Sequence, residues 1–375
     1  MHKCKLSDCV KEINNRTTEN NQYEVLTSSK NGIFSQEEYF DKQVASKDNT
    51  GYKIIEKGQF TYRSMSDSGT FTINRLEDKD IGIVSPAYPV FEATNIDAEF
   101  LKYYFKSELF NKAIINLSQG STRTALKFKD LIDIEIFLPE IEEQKKIVKI
   151  LKNNDQIIEK YDKLIKEKEQ FIKSQFVEMF IKTNYQRITL NEISSIKGEY
   201  GLSVSSKSYD ESLGRYIRIT DINDDGTLNT DWTSPMTDKN IENYILKEGD
   251  ILFARTGGTV GKTYKYRLSD GKCSYAGYCI RFRIASEKTN PDYIYAYTKT
   301  NEYKNWIKDR QRVGAQPNIN SNEYGNELEI PLPPIEKQKE FIELKQLIDK
   351  QKFNYINKIK LLNKIINIFL GGKKI

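Results

Sequence analysis

An α+β architecture is predicted: two tandem mixed, β-rich globular domains related by a pseudo-two-fold and separated by two long antiparallel coiled-coil helices. Three observations predict it. The chain repeats itself at long range, each copy closes on a heptad-patterned stretch, and the remainder breaks into short strand-like runs punctuated by Gly, Asn and Asp.

The repeat decides the organisation. The segment from Leu138, LPEIEEQKKIVKIL, returns from Leu332 as LPPIEKQKEFIELK, an offset of 194 residues. Upstream the order is kept: Gly58 answers to Gly249, Tyr88 to Tyr278, Phe100 to Tyr293 and Gly120 to Gly314. Each copy is therefore a globular region of ordinary domain size followed by one helix. The resulting boundaries are a first domain over 1–138, a helix over 139–183, a second domain over 184–333 and a helix over 334–375.

Within the domains, Arg215 to Thr220, Asp250 to Arg255 and Cys279 to Ile284 are strand-like. Ile96 to Asn116 and Pro291 to Asp309 carry apolar residues at helical spacing, and each is expected to be one helix. In the terminal helices Ile150-Leu151, Ile157-Ile158, Leu164-Ile165 and Phe171-Ile172 recur every seven residues. Phe341, Ile348, Tyr355, Leu362 and Phe369 do the same in the second copy. Sustained heptads indicate a coiled-coil seam. Its expected members are Ile147, Leu151, Ile158 and Ile165 on one helix and Phe341, Ile348, Tyr355 and Leu362 on the other. The plainer alternative packs each helix independently on its own domain. Pro139 and Pro334 mark the starts, with Glu140, Glu142, Glu143 and Glu336 suiting the helix dipole. About 40 residues at about 1.5 Å each would make a rod of roughly 60 Å.

Composition excludes several functions. The 375 residues are 38% hydrophobic and 30% charged. No apolar run is long enough to span a bilayer, and Met1 to Val10 has no signal-peptide core, so a cytoplasmic location without membrane association is expected. Cys4, Cys9, Cys273 and Cys279 lack the pair spacing of a zinc site, and His2 is the one histidine. Reduced thiols, no metal site and no Ser-His or Cys-His chemistry follow. The net charge of +5 leans only mildly toward polyanions, although ten lysines face four acidic residues from Glu336 onward.

The repeat, and above all the LP-x-I-E-x-Q-K opening of each helix, resembles the specificity subunits of type I restriction-modification systems. In the second module the similar run comprises Tyr216-Ile217-Arg218-Ile219, Asp221-Ile222, Glu248-Gly249-Asp250-Ile251-Leu252, Arg255-Thr256-Gly257-Gly258 and Gly261. Gly314, Gln316-Pro317-Asn318-Ile319 and Ile330 to Pro334 complete it. The first module departs: Gly58-Gln59 stands for Gly-Asp, Arg63 lacks following glycines, and Gly120-Ser121-Thr122-Arg123 replaces Gly-x-Gln-Pro. The resemblance implies two target-recognition domains, each reading half of a bipartite double-stranded DNA site, with the helices as spacer. It implies two methyltransferase subunits and restriction/translocase subunits as partners. No cofactor is expected on this chain; S-adenosylmethionine, ATP and Mg²⁺ belong on the partners, and the chain itself is expected to be non-catalytic.

Three catalytic motifs are approached and missed. TGGTVGKT at Thr256 to Thr263 is one residue from a P-loop, but Tyr264-Lys265-Tyr266-Arg267 continues as a strand rather than a helix. Pro291-Asp292 with Glu302-Tyr303-Lys304 has nuclease-like residues on a helix whose counterpart copy has no matching lysine. Pro333-Pro334 is flanked by Leu332 and Ile335, not by base-flipping residues. DNA contact is instead expected from Arg215, Arg218, Arg255, Thr256, Gly257, Gly258, Lys262, Arg312, Gln316 and Asn318, with Arg63, Gln119 and Arg123 in the first module. Arginine suits guanine and Gln or Asn suits adenine, and glycines let the main chain approach a phosphate. Gln316 and Asn318 have an equally good reading as turn formers. A scaffold that does not read DNA is the alternative function.

Overall fold

The sequence repeat is also a repeat of topology. The computed structural model describes residues 2–39, 48–66, 69–117, 124–237, 239–310 and 317–370. The first copy holds an antiparallel four-stranded sheet in the order Val10–Glu12, Val90–Ala93, Phe60–Thr61, Asn74–Arg75. The second holds Ser194–Tyr200, Cys279–Ile284, Asp250–Ala254, Thr263–Lys265 in the equivalent order. A short antiparallel pair leads into each long helix, His2–Lys5 with Glu135–Leu138 and Arg187–Thr189 with Glu329–Pro331. The chain divides into two compact units, Met1–Lys163 with Tyr355–Ile375, and Leu164–Asn354. Each long helix, Ile141–Phe176 and Ile335–Leu370, thus gives one part to each unit.

The repeated glutamine of the LP-x-I-E-x-Q-K motif has one job in both copies. Gln144 is buried; its Oε1 accepts from the Asp97 amide at 2.8 Å and its Nε2 donates to the Pro139 carbonyl at 2.8 Å. Gln338, also buried, accepts from the Asn290 amide at 2.9 Å and donates to the carbonyls of Pro333 and Lys288, both at 2.9 Å. Asp97 and Asn290 are themselves the N-caps of the next helices, bonding Phe100 and Asp292 amides. One side chain therefore ties the start of the long helix to the start of a domain helix. An amide suits this because it donates and accepts at once.

Those domain helices correct an expectation. Each predicted single helix is two: Ala98–Lys106 and Glu108–Leu117 in the first copy, Pro291–Tyr297 and Asn301–Arg310 in the second. Ser107 Oγ donates to the Tyr104 carbonyl and accepts from the Phe110 amide. Thr300 Oγ1 does the same between Tyr297 and Tyr303. A hydroxyl that caps one helix end and starts the next competes with helix continuation. Apolar periodicity runs through such a break, which hides it. The strand expected over Arg215 to Thr220 likewise stops early, as Arg215–Ile217 parallel to Cys273–Tyr275, because Ile219–Asp221 turns into a 3₁₀ segment.

The seam is antiparallel within each unit. In the first, Ile147, Val148 and Leu151 share a core with Leu370, Ile366 and Phe369, while Tyr161 stacks on Tyr355 at 5.2 Å. In the second, Phe176 meets Phe341 edge-on at 5.2 Å, and Lys352 pairs with Glu169 at 2.7 Å. Ile348 is buried; Ile158, Ile165 and Leu362 are half-buried. Only the second member of each apolar pair turns inward, since Ile150, Ile157, Leu164 and Phe171 remain exposed.

Candidate nucleic-acid interface

The most strongly built surface feature of the second unit is the turn that leaves strand Asp250–Ala254. The strand is fully buried, and Asp250 at its start is 0% exposed. Arg283 donates to both Asp250 oxygens at 2.7 and 2.8 Å, and the Lys247 amide donates at 2.8 Å. Gly249 precedes it with φ +85°, and a Cβ there would lie 2.8 Å from the Ile284 carbonyl oxygen. That is the physical reason for Gly-Asp at this point.

Beyond the strand, Arg255 to Gly257 are stitched to the returning segment Pro317 to Ile319. The Ile319 amide donates to the Arg255 carbonyl at 2.8 Å, the Gly257 amide donates to the Pro317 carbonyl at 2.9 Å, and Thr256 bridges Asn318. Gly257 and Gly261 have positive φ, and a Cβ on Gly261 would strike Ile307 at 2.9 Å. Gly258 faces open space. Lys262 then pairs with Asp224 at 2.8 Å and donates to the Ile222 carbonyl at 3.3 Å. The structure thus brings Arg255, Thr256, Gly257, Gly258, Lys262 and Asn318 together on one turn. Strand Thr263–Lys265 follows, so no helix N-terminus is presented for a nucleotide.

The Arg255 guanidinium lies 4.9 Å from the centre of the Tyr200 ring, and its Nε donates to Asn318 Oδ1 at 3.3 Å. At the other end of the turn, a cavity of ≈ 720 Å³ is lined by Lys262, Arg267, Lys299 and Lys304 among eight basic and four acidic residues. Burial pulls the Lys299 ammonium down to about 8, opposed by Asp225 and reinforced by the neighbouring charges of Lys304 and Arg267. A surplus of positive charge beside an exposed glycine turn suits a polyanion.

Other expected residues fall elsewhere. The Arg215 side chain is buried, donating to Asn229 at 2.7 Å and lying over Trp232. Arg218 grips Asp221 through Nε and Nη2 at 3.0 and 2.8 Å, which commits most of its donors. Arg63 is exposed. Gln119, Arg123, Arg312 and Gln316 lie outside the described residues. The nuclease-like residues are structural: Asp292 pairs with Lys265 at 3.0 Å and Glu302 with Arg187 at 2.6 Å. Among the described residues no group of three or more His, Cys, Asp or Glu is placed to hold a metal ion, and no helix is long and apolar enough to cross a membrane. Sequence reasoning missed Tyr200 and the exposed aromatics Tyr278, Tyr209 and Trp232. In a chain with 23 tyrosines, no local pattern separates an exposed ring from a core one.

Comparison with known proteins gives one consistent result. The family described as "Type I restriction modification DNA specificity domain" matches residues 4–170 and 182–367. The specificity subunit of the type I restriction enzyme MjaVIII from Methanocaldococcus jannaschii is 25% identical over 319 residues, covering 78% of this chain and 74% of that protein. Among solved structures, a chain from a study of assembly and conformational transition of the type I R-M system superposes with TM-score 0.66 at 17% identity, over 99% of this chain and 96% of that one. The type I restriction-modification S subunit from M. genitalium superposes with TM-score 0.53 at 16% identity, over 98% and 94%.

Proposed function

Because the chain belongs to the family of type I restriction-modification DNA specificity domains, and carries two copies of that domain, we propose that it reads a bipartite double-stranded DNA site, one half per module. The observation that carries this is the Arg255 turn. An arginine held by an asparagine at an exposed glycine turn, with a basic cavity at its far end, combines a base-reading side chain with phosphate attraction. Lys262, Thr256, Gly257 and Gly258 contribute to phosphate approach in this reading, and Arg63 marks the corresponding face of the first module.

The chain is a recognition subunit that directs others and does no chemistry itself. Two methyltransferase subunits and restriction/translocase subunits are its partners, and S-adenosylmethionine, ATP and Mg²⁺ are bound by them in the cytoplasm, where DNA is met. The exposed apolar residues Ile150 and Ile157 of the first unit, and Leu164 and Phe171 of the second, support subunit docking along the helices. The working boundaries remain recognition domains over 1–138 and 184–333 with helices over 139–183 and 334–375.

Duplex binding by the partner complex across a salt series tests the reading. Neutralising several phosphates gives a log–log slope of about −0.9 per phosphate. A steep slope together with tighter binding to one bipartite sequence is expected. A flat slope, or S-adenosylmethionine binding by this chain alone, would refute it.

A further inference from the structure

Arginines are costly to orient, and the second unit commits most of its own to structure. Arg187 pairs with Glu302, Arg218 with Asp221, Arg281 with Glu199, Arg283 with Asp250 and Arg310 with Glu327. Arg255 differs. Its guanidinium is held in place, yet among the described residues none of its terminal Nη atoms has a protein acceptor.

We propose that Tyr200 and Asn318 position Arg255 to read a guanine in the major groove, which makes one G·C pair of the second module's half-site the base pair this arginine fixes. The inference rests on the DNA-reading function proposed above and adds the residues and the base.

The contact with the Tyr200 ring and the Nε bond to Asn318 restrain the guanidinium, which leaves the two Nη groups as a pair of donors without a protein acceptor among the described residues. That pair matches N7 and O6 of guanine, which are both acceptors. Tyr200 is not a loose platform. It ends strand Ser194–Tyr200, and its hydroxyl accepts from the Ser321 amide at 3.0 Å. Ser321 follows Asn320, whose Oδ1 accepts from the Asn322 and Glu323 amides at 2.9 and 3.0 Å. The ring and Asn318 are therefore anchored to the same returning segment, which is itself bonded to Arg255 through the Ile319 amide. A planar fork fixed at its base loses little further freedom on binding a base edge.

The test uses the full chain with its partner subunits and a pool of duplexes of randomised sequence, scored for the motif each variant enriches. Wild type is expected to enrich a bipartite motif with guanine required at one position of one half. Arg255→Ala and Arg255→Lys should lower discrimination at that base pair by about tenfold to a hundredfold and leave the other positions intact. Tyr200→Leu and Asn318→Ala should relax the same base pair more weakly with an unchanged salt slope, whereas Tyr200→Phe, which keeps the ring, should retain it. Asn318→Ala carries the test if Tyr200→Leu does not fold. Equal weakening at every sequence by Tyr200→Leu and Asn318→Ala would reduce both residues to structural ones and overturn the assignment. An unaltered motif in Arg255→Ala, from a complex that still selects a bipartite site, would overturn it while leaving DNA reading intact. A wild-type complex that enriches no motif overturns both.

Discussion

The two modules solve the same local problem with different chemistry. At the head of the equivalent strand the second module has Gly249-Asp250 and the first Gly58-Gln59, and both glycines have positive φ. Asp250 accepts from the Lys247 amide three residues back at 2.8 Å, and Gln59 Oε1 accepts from the Glu56 amide three residues back at 2.8 Å. The turn survives the substitution. What changes is the charge: Asp250 also faces Arg283 and Arg281 in the interior, whereas the neutral Gln59 forms no ion pair. A motif can therefore lose its carboxylate and keep its fold, and sequence departures there do not imply a different architecture.

The sharpest way to break this comparison is to remove both side chains. Asp250→Ala strips Arg283 of its carboxylate, while Arg281 keeps Glu199, and should cost about 3–5 kcal/mol, the scale for breaking a buried pair. Gln59→Ala should cost only about 1 kcal/mol, the value of one hydrogen bond. Chemical denaturation of the two variants distinguishes them, and equal losses would show that the extra charge in the second module adds nothing.

The helices give a second, smaller contrast. Ile348 is buried in the second unit and Ile158 half-buried in the first. A lysine at Ile348 should destabilise by a few kcal/mol and one at Ile158 by less, since the charge at the latter reaches water. Thermal unfolding of Ile348→Lys and Ile158→Lys measures the order, and neutral behaviour of both would refute the seam.

Much of this was legible in the residues and some was not. The heptads located the seam, and the glycines at 249, 257 and 261 located turns, because spacing and positive φ leave direct marks in a sequence. The paired helices broken at Ser107 and Thr300 were not legible, since a capping hydroxyl looks like any surface Ser or Thr until its partners are known. The inward course of Arg215 and the outward course of Tyr200 were equally hidden, because each depends on strands distant in sequence. Gln144 and Gln338 were legible as a repeat, but the hydrogen bond that each accepts from the amide of a neighbouring helix cap was not.

The mildest contrast is alkaline. Among the described residues, burial raises the pKa of nine tyrosines of the second unit, Tyr216, Tyr264, Tyr266, Tyr275, Tyr293, Tyr295, Tyr297, Tyr303 and Tyr324, against three, Tyr62, Tyr103 and Tyr104, in the first. Cys273 is pushed up to about 12 and Cys279 is raised, matched in the first unit by Cys9 at about 12 and Cys4, also raised. A raised group keeps its proton in the folded state, so its stabilisation is complete below its unfolded value and declines as pH rises above it. The thiols begin this decline near pH 9.0 and the phenols near pH 10.0. Lys299, lowered to about 8, acts in the opposite sense between about 8 and 10.5 and softens the onset. Unfolding followed from pH 7 to 11 should show the second unit losing stability more than the first; parallel losses would contradict the burial difference.

The central claim, that each module reads its own half of a bipartite site, is tested most directly by mapping methylated adenines in host DNA with wild-type chain and with Arg255→Ala. The account predicts that one half of the methylated motif relaxes or disappears while the sequence of the other half is unchanged. Simultaneous change of both halves in a folded variant would contradict it.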